Sequence, residues 1–253
     1  MKARPSDLVS SPDLPPTPPM PATTPPPNHR TRVGAERRER MRQRLIETAM
    51  IVFADKGVRA TVIPDVVAAA EVSQGSFYNY FRTNDELLAA VAQELSMGMI
   101  EAIEGVVADI ADPALRVATG IRFYLHLARG HRLLARFIAA CGAQALDERS
   151  GVMVLPADLA EGWKRGDFDL VSLDAAADVV IGAGWAAIVR MAQGGRIPKE
   201  YPDQIAAVIL RALGVSAATA DRLVATPLPK LAVAPDSLLA RAQARAAAKA
   251  DAE

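Results

Sequence analysis

Apolar residues recur at helical spacing along most of the chain. In the clearest case, Leu45, Ala49, Val52 and Phe53 stand at positions i, i+4, i+7 and i+8, which places them on one face of a helix predicted over residues 36–55. No convincing series of alternating apolar and polar positions, separated by turn residues, accompanies this pattern. The sequence therefore predicts an all-α fold.

Hydroxyl residues that cap helices mark the starts of three further helices. We predict a second helix that is capped by Thr61 and continues to residue 70, and a third that is capped by Ser73 and ends near residue 80. Thr83, with a glutamate three positions later, forms a capping box that opens a fourth and longer helix. Three helices thus precede a long one.

Helical periodicity continues through the second half of the chain. Asp112 and Pro113 predict another helix start, because proline in a first turn loses no hydrogen bond, and Gly130 is a predicted break. Two more helices are predicted over residues 173–193 and 202–213. The C-terminal half is therefore a helical domain.

The two ends of the chain differ in composition from the rest. Ten of the 18 prolines fall in residues 1–27, among Ser and Thr, and such a stretch has too few large apolar residues to fold. We expect residues 1–33 to be a disordered tail. Residues 216–253 are interrupted by prolines but contain SLLARAQARAAAKA, which favours a helix, so we expect a C-terminal extension that is partly helical or disordered.

Positive charge is concentrated near the first predicted helix. The whole chain is balanced, with 29 Lys plus Arg and 29 Asp plus Glu, so net charge does not indicate a partner. A run of arginine is often only a solvated helix face, but beside a DNA-reading motif it favours contacts with phosphates. The arginines of this run are Arg30, Arg32, Arg37, Arg38, Arg40, Arg42 and Arg44.

The segment VSQGSFYNYF, residues 72–81, has four aromatic residues in a chain with only six Phe, four Tyr and two Trp. It follows a short predicted helix and a tight turn, which is the layout of a helix-turn-helix DNA reader. Phe77 and Phe81 are four residues apart, so they share a face that can pack on the first two helices. Tyr78 and Tyr80 are left to point outward, where their hydroxyls can reach phosphates.

The segment LIETAMIVFADKGVRATVIPDVVAAAEVSQGSFYNYFRTNDELL, Leu45–Leu88, resembles the DNA-binding segment of the tetracycline-repressor (TetR) family of bacterial regulators. The resemblance implies a homodimer in which each subunit carries an N-terminal DNA-binding head and a helical C-terminal domain that binds a small molecule and dimerises through its last two long helices. The matching residues are Ala49, Phe53, Gly57, Thr61, Asp65, Ala69, Ala70, Val72, Ser73, Phe77, Tyr78, Tyr80, Phe81, Glu86 and Leu87.

Three residues depart from the family pattern. Glu71 stands where the turn usually has glycine, so either the position is left-handed and the backbone is strained, or the turn differs slightly from the family's; in both cases the carboxylate stands near the DNA phosphates. Asn84 stands where a lysine commonly touches a phosphate, and Val67 replaces a usual alanine, which predicts slightly altered packing. None of these changes removes the motif.

The sequence therefore predicts a ligand-responsive transcriptional repressor that binds a palindromic, double-stranded DNA operator as a homodimer. The predicted division is a tail (1–33), a helix-turn-helix domain (34–84), an effector-binding and dimerisation domain (85–215) and a C-terminal extension (216–253). Candidate DNA contacts are Arg42, Thr61, Ser73, Gln74, Ser76, Tyr78, Asn79 and Tyr80. Candidate ligand contacts, each of which is also a plausible core residue, are Met99, Phe123, Tyr124, His126, Trp163 and Trp185.

Two other functional classes compete with this prediction. Gly182, Gly184 and Ala187 follow an apolar run with the spacing of a dinucleotide-binding fingerprint, which is typical of oxidoreductases, but the strand that should follow is missing. A helical interaction adaptor without DNA affinity would fit the C-terminal half and leave the head unexplained.

Metal, cofactor and membrane signals are weak. The single Cys141 and three scattered histidines offer no metal-binding spacing, so we expect no metal site. The sequence contains no catalytic motif, so we also expect that the protein uses no cofactor and is not an enzyme. The longest uninterrupted apolar run, Val179–Val189, is shorter than the ~20 residues of a membrane-spanning helix. We expect a cytoplasmic protein with no membrane partner.

Overall fold

The computed structural model describes residues 29–59, 62–141, 155–230 and 233–251. Within these ranges every regular element is an α-helix, which confirms the predicted all-α fold. The helices are α1 (His29–Lys56), α2 (Ile63–Ala69), α3 (Gln74–Tyr78), α4 (Asn84–Val107), α5 (Pro113–Gly130), α6 (Arg132–Cys141), α7 (Leu155–Arg165), α8 (Leu173–Ala192), α9 (Tyr201–Ala212), α10 (Ala217–Ala225) and α11 (Leu238–Ala250).

The chain divides into two compact units, Met1–Arg38 and Glu39–Glu253. In the first unit the described part is the beginning of α1, where the Arg32 and Glu36 side chains form an exposed i,i+4 ion pair at 3.8 Å. The helix starts at His29, before the predicted start at residue 36. Arginine and glutamate have high helix propensity and pair across one turn, which explains the earlier start.

Three of the predicted caps are present. The Ser73 Oγ accepts a hydrogen bond from the Ser76 N–H at 3.1 Å, the Thr83 Oγ1 accepts one from the Glu86 N–H at 3.0 Å, and Asp112 caps α5. These side chains satisfy amides that have no partner inside the helix, so they fix where α3, α4 and α5 begin.

One predicted detail of the head is wrong. The N-cap of α2 is Val62, which makes no side-chain cap, and the predicted cap Thr61 lies outside the described residues. The third helix ends at Tyr78, with Asn79 as its C-cap, close to the predicted end near residue 80. The head therefore has two very short helices, and its stability comes from packing rather than from helix propensity.

The body of the second unit is built around α5, which contacts α4, α6, α7, α8, α9 and α10. Helix α8 also packs on α6, α7 and α9, and α11 packs on α4 and α6. The break at Gly130 and the helices predicted near 173–193 and 202–213 agree with α5, α8 and α9. Helices α7 and α10 have no counterpart in the sequence prediction.

Helix α8 decides two questions that the sequence raised. It is long and apolar enough to span a membrane by length and composition, yet it contacts four helices of the body. Gly182, Gly184 and Ala187 lie inside this one continuous helix. A dinucleotide fingerprint needs a strand that ends in a tight turn before a helix, so the predicted alternative of a cofactor-binding oxidoreductase is not supported by this segment.

Candidate nucleic-acid interface and ligand cavity

Helix α3 is fixed from below by aromatic side chains. Phe77 and Phe81 are buried, and their ring centroids lie 6.1 Å apart. The Tyr78 ring meets the Phe77 ring edge-on, with the centroids 5.6 Å apart. These contacts place the predicted wedge in the core of the head and prevent the short helix from rotating about its axis.

The opposite face of the α3 segment is polar and accessible. Ser73, Gln74 and Asn79 are exposed, and the Tyr78 side chain stands outward with 47% of the residue's surface accessible. Tyr80 is half-buried and packs partly against the core, so it is less available than the sequence predicted. Ser73 and Ser76 also bond each other, with their hydroxyl oxygens 3.0 Å apart.

The turn between α2 and α3 is held in an unusual backbone conformation. Glu71 has φ +52°, and it is the one described residue other than glycine with a positive φ. Of the two alternatives that the sequence left open, the strained left-handed conformation is the one observed. Its carboxylate accepts a hydrogen bond from the Arg44 Nη2 at 3.3 Å, so Glu71 pairs with an arginine of the same head.

Other charged and polar groups fix the head to its own helices. The Arg42 guanidinium lies over the Phe81 ring at 5.8 Å, a cation–π distance. Lys56 and Asp65 pair at 2.5 Å, which ties α1 to α2. Asn84, which replaces a phosphate-contacting lysine in the resemblance, donates from Nδ2 to the Val58 carbonyl at 3.0 Å and holds the start of α4.

A cavity of about 210 Å³ lies in the body and is lined by residues of α4, α5, α6, α7 and α8. Most of its lining is aliphatic or aromatic, and Leu95, Val117, Ile121 and Phe137 are typical wall residues. An engineered apolar cavity of roughly 150 Å³ can hold a benzene molecule, so this one is large enough for one small ring compound.

The cavity wall also includes polar atoms that lack partners. Glu104 Oε1, Arg116 Nε and Trp185 Nε1 are buried and make no hydrogen bond within the described part of the chain. Arg116 pairs through Nη2 with Asp158 Oδ1 at 3.0 Å. Buried polar atoms are nearly always hydrogen-bonded in proteins, so these groups are available to a bound molecule.

Burial changes the proton affinity of several lining groups. Desolvation raises the pKa of Asp158, and the nearby Glu104 carboxylate raises it further against the opposing effect of Arg116. Burial also raises the pKa of the Tyr124 hydroxyl and that of the Cys141 thiol to about 12 each. Tyr124 and Cys141 are therefore neutral at physiological pH, and both belong to the lining.

Three of the six predicted ligand contacts line this cavity, namely Met99, Tyr124 and Trp185. The other three lie elsewhere. Phe123 is a buried core residue outside the lining, and Trp163 is largely exposed. Sequence reasoning preferred aromatic residues, and it missed the lining's charged groups on α4, α5 and α7.

His126 does not line the cavity but takes part in a cluster of charged residues that joins helices of the body. Its Nε2 lies 3.0 Å from Asp203 Oδ1, and the buried Arg122 donates from Nε to the same oxygen at 2.7 Å. Arg122 also donates to the Thr226 carbonyl at 2.7 Å. Burial raises the pKa of Asp203, but the hydrogen bonds from Arg122 and His126 outweigh it, so the net pKa is lowered. This cluster joins α5, α9 and the end of α10.

Comparison with known proteins decides the family. The family profile described as bacterial regulatory proteins, tetR family, matches residues 45–91, and a tetracyclin repressor-like C-terminal domain profile matches residues 112–226. The chain is similar to RolR, whose crystal structure was solved in complex with the ligand resorcinol. The two sequences are 30% identical, the structures superpose with a TM-score of 0.64, and the match covers 78% of this chain and 100% of RolR. The chain belongs to the TetR family. It is therefore a helix-turn-helix, DNA-binding transcriptional regulator, as the sequence predicts.

Curated relatives match over short stretches of the chain. The repressor DhaR of Mycobacterium sp. (strain GP1) is 34% identical over 76 residues, which are 30% of this chain and 38% of DhaR. The repressor KstR2 of Mycobacterium tuberculosis (strain H37Rv) is 32% identical over 71 residues, which are 28% of this chain and 34% of KstR2. The matched stretch thus spans little more than a third of either relative.

Proposed function

We propose that this TetR-family protein is a homodimeric, cytoplasmic repressor that holds a palindromic operator through two copies of α3 and releases it when a small effector fills the cavity. The observation that carries the DNA-binding part is the geometry of α3. Buried Phe77 and Phe81 fix the helix, and Gln74, Tyr78 and Asn79 face solvent. A helix held in this way can enter a major groove without first becoming ordered.

The proposed roles of the DNA contacts follow from the chemistry of the side chains. Gln74 and Asn79 are the base readers, because an amide can pair with both the acceptor and the donor on adenine. Tyr78 donates its hydroxyl to a phosphate, which contributes affinity without sequence preference. The further proposed contacts are Arg42, Thr61, Ser73, Ser76 and Tyr80.

Selection of duplexes from a random pool by the purified protein tests this assignment. We expect a palindromic consensus, and we expect Gln74→Ala to change the preferred base at one or two positions of each half-site. Tyr78→Phe should weaken binding to all sequences alike. Gln93→Ala, an exposed glutamine on α4, is the matched control and should change neither property. The assignment fails if Gln74→Ala and Tyr78→Phe alter only thermal stability.

The dimer is proposed from the family and from the outer surface of the last two long body helices. Val179 on α8 and Val208 on α9 are exposed, Val208 by 59%, although their neighbours along each helix face the core. Exposed apolar side chains on adjacent helices are typical of a helix-pair interface. Sedimentation at micromolar concentration should show a dimer, which Val208→Glu should dissociate. A monomeric wild-type protein would contradict this proposal.

For the effector we propose a small aromatic compound that carries hydroxyl groups. The apolar walls fit a ring, a hydroxyl can donate to Glu104 Oε1, and its oxygen can accept from the Trp185 Nε1–H. RolR, which is similar over its whole length, was crystallised with resorcinol, and this supports the same chemical class. Binding supplies hydrogen-bond partners to buried groups that have none among the described residues, so hydroxyls contribute to affinity and selectivity.

Tryptophan fluorescence tests the effector class. The exposed Trp163 is replaced by Phe so that Trp185, which lines the cavity, is the sole reporter. Titration with resorcinol should give a saturable change, whereas toluene, which lacks hydroxyls, should bind at least ~10-fold more weakly, a difference of about 1.4 kcal/mol. Glu104→Gln should reduce that selectivity. Equal binding of toluene and resorcinol would show that the polar groups do not recognise the ligand.

A further inference from the structure

Glu47 of α1 carries a carboxylate into the interior of the molecule. It stands among Leu45, Ile46, Ala49 and Met50, all of which are buried, and only 9% of its side chain is exposed. A charge at such a position requires partners. Those partners come from the C-terminal helix α11 and not from the DNA-binding head.

Two arginines of α11 surround this carboxylate. Arg241 donates from Nε to Glu47 Oε1 at 2.8 Å, and Arg245 donates from Nε and Nη2 to Glu47 Oε2 at 2.9 and 2.8 Å. Both carboxylate oxygens are thus occupied by guanidinium groups, with the planar geometry that favours arginine over lysine. We call Glu47, Glu94, Arg241 and Arg245 the arginine clamp.

Arg241 extends the clamp to α4. Its Nη2 donates to Glu94 Oε1 at 2.5 Å, and its Nη1 donates to the Asp236 carbonyl. One guanidinium therefore bridges α1 of the head and α4 of the body. Glu94 directly precedes Leu95 in α4, and both Leu95 and Met99 line the effector cavity.

Helix α11 is itself held firmly. Leu238, Leu239 and Ala242 are buried, and the Gln243 Nε2 lies 2.8 Å from His131 Nδ1, at the junction of α5 and α6. The helix begins at residue 238, after the end of the family profile at residue 226. Both arginines of the clamp therefore lie outside the residues that the family profiles match, whereas Glu47 lies inside them.

We propose that the arginine clamp is a positioning device that couples the DNA-binding head to the effector cavity through the Glu47–Arg241–Glu94 bridge. The inference rests on the proposed function. When an effector displaces α4, Glu94 moves and displaces Arg241. Because Arg241 is also bonded to Glu47, the displacement passes on to α1. Coupling between two sites is reciprocal, so DNA bound to the head must also change the stability of α4.

Reciprocity allows a test that needs no effector. The probe is the duplex that the wild-type chain selects from a random pool, and the readout is backbone amide exchange by mass spectrometry. In the wild type, the duplex should slow exchange in α1 to α3 and also slow it about tenfold around residues 94–100 of α4. Glu94→Gln should keep the protection of the head and reduce that at α4 to about twofold or less.

Two further variants keep the test decisive. Arg241→Lys retains a positive charge beside Glu47, but a lysine ammonium lacks the rigid fork with which arginine reaches both Glu47 and Glu94. This variant should therefore reduce the protection of α4 as Glu94→Gln does. Asp55→Asn is the matched control, because it removes another tie between α1 and the body, the 2.8 Å pair of Asp55 with Arg136 of α6. Asp55→Asn should leave the protection of α4 intact.

The possible results separate the inference from the proposed function. Equal protection of α4 in the wild type and Glu94→Gln, or none in the wild type, overturns the clamp and leaves DNA binding standing. Loss of α4 protection in Asp55→Asn as well shows that the coupling depends on the general attachment of α1 to the body and is not specific to the clamp, and this also overturns the inference. If the wild-type chain selects no duplex, the proposed function fails and the inference fails with it.

Discussion

Replacing Glu71 by glycine separates two effects that meet in one turn of the head. Glu71 has φ +52°, a backbone region that costs a residue with a Cβ roughly 1–2 kcal/mol. Its carboxylate also pairs with Arg44 at 3.3 Å. The glycine variant removes both the strain and the negative charge, whereas Glu71→Ala and Glu71→Gln remove the charge and keep the strain.

The expected change in the free energy of unfolding follows from three contributions. Relief of the strain favours the glycine variant by roughly 1–2 kcal/mol, and the greater freedom of glycine in the unfolded chain opposes it by about 0.4–1 kcal/mol. The Glu71 side chain is 84% exposed, so loss of its ion pair changes stability little in any of the variants. Glu71→Gly should therefore be about 1 kcal/mol more stable than Glu71→Ala in urea unfolding.

DNA affinity should respond to the charge and not to the strain. Removal of the carboxylate frees Arg44, and one additional phosphate contact steepens the log-log dependence of affinity on salt by about 0.9. We expect this change in Glu71→Gly and in Glu71→Gln alike, and we expect Arg44→Gln to abolish it in either background. The reasoning is refuted if glycine and alanine give equal stability, or if the salt dependence of Glu71→Gln equals that of the wild type.

Three further predictions concern the fold. Phe77→Ala should lower the free energy of unfolding by about 3–5 kcal/mol in a urea titration, because Phe77 is fully buried; a loss under 1 kcal/mol would show that it does not anchor α3. The pKa of Asp203 is lowered in the folded protein, so the stabilisation by its carboxylate is complete above the unfolded pKa of about 3.9 and is lost as the pH falls through the folded pKa. The difference in Tm between wild type and Asp203→Asn should therefore shrink below about pH 4. A difference in Tm that stays constant with pH would contradict this. Gly214→Ala should lower the Tm more than Gly194→Ala. Both glycines have positive φ, but an added Cβ meets backbone only at Gly214, where it would lie 2.8 Å from the Asp169 nitrogen. Equal losses of Tm in the two variants would argue against a clash.

The head could be predicted closely because its signals are local. Ser73 and Thr83 cap helices within three residues of themselves, and the spacing of Phe77 and Phe81 is one helical turn. The missing glycine at position 71 pointed to this turn, but the sequence left open whether Glu71 would be left-handed or the turn would differ. The start of α1 was placed too late, since the boundary was drawn from proline content and not from helix propensity.

The cavity and the clamp depend on residues that are far apart in the sequence. Arg116 and Asp158 lie on α5 and α7, and α7 follows a stretch of the chain with no clear helical period. Arg245 binds Glu47 across 198 positions. Nothing in the residues around Glu47 distinguishes it from a glutamate on a solvated helix face, because its burial is created only when α11 docks.

The distribution of hydrogen bonds in the clamp indicates which parts of the molecule move together. Glu47 receives hydrogen bonds from two guanidinium groups, one on each carboxylate oxygen, so α1 and α11 are held together by several contacts. Glu94 holds Arg241 through a single nitrogen and its side chain is 30% exposed, so water can replace that contact at a smaller cost. Relative motion within the clamp is therefore easiest at the contact between α11 and α4. Since α4 also forms one wall of the cavity, this weaker contact sets how much of a displacement of α4 reaches α11 and, through Glu47, the head.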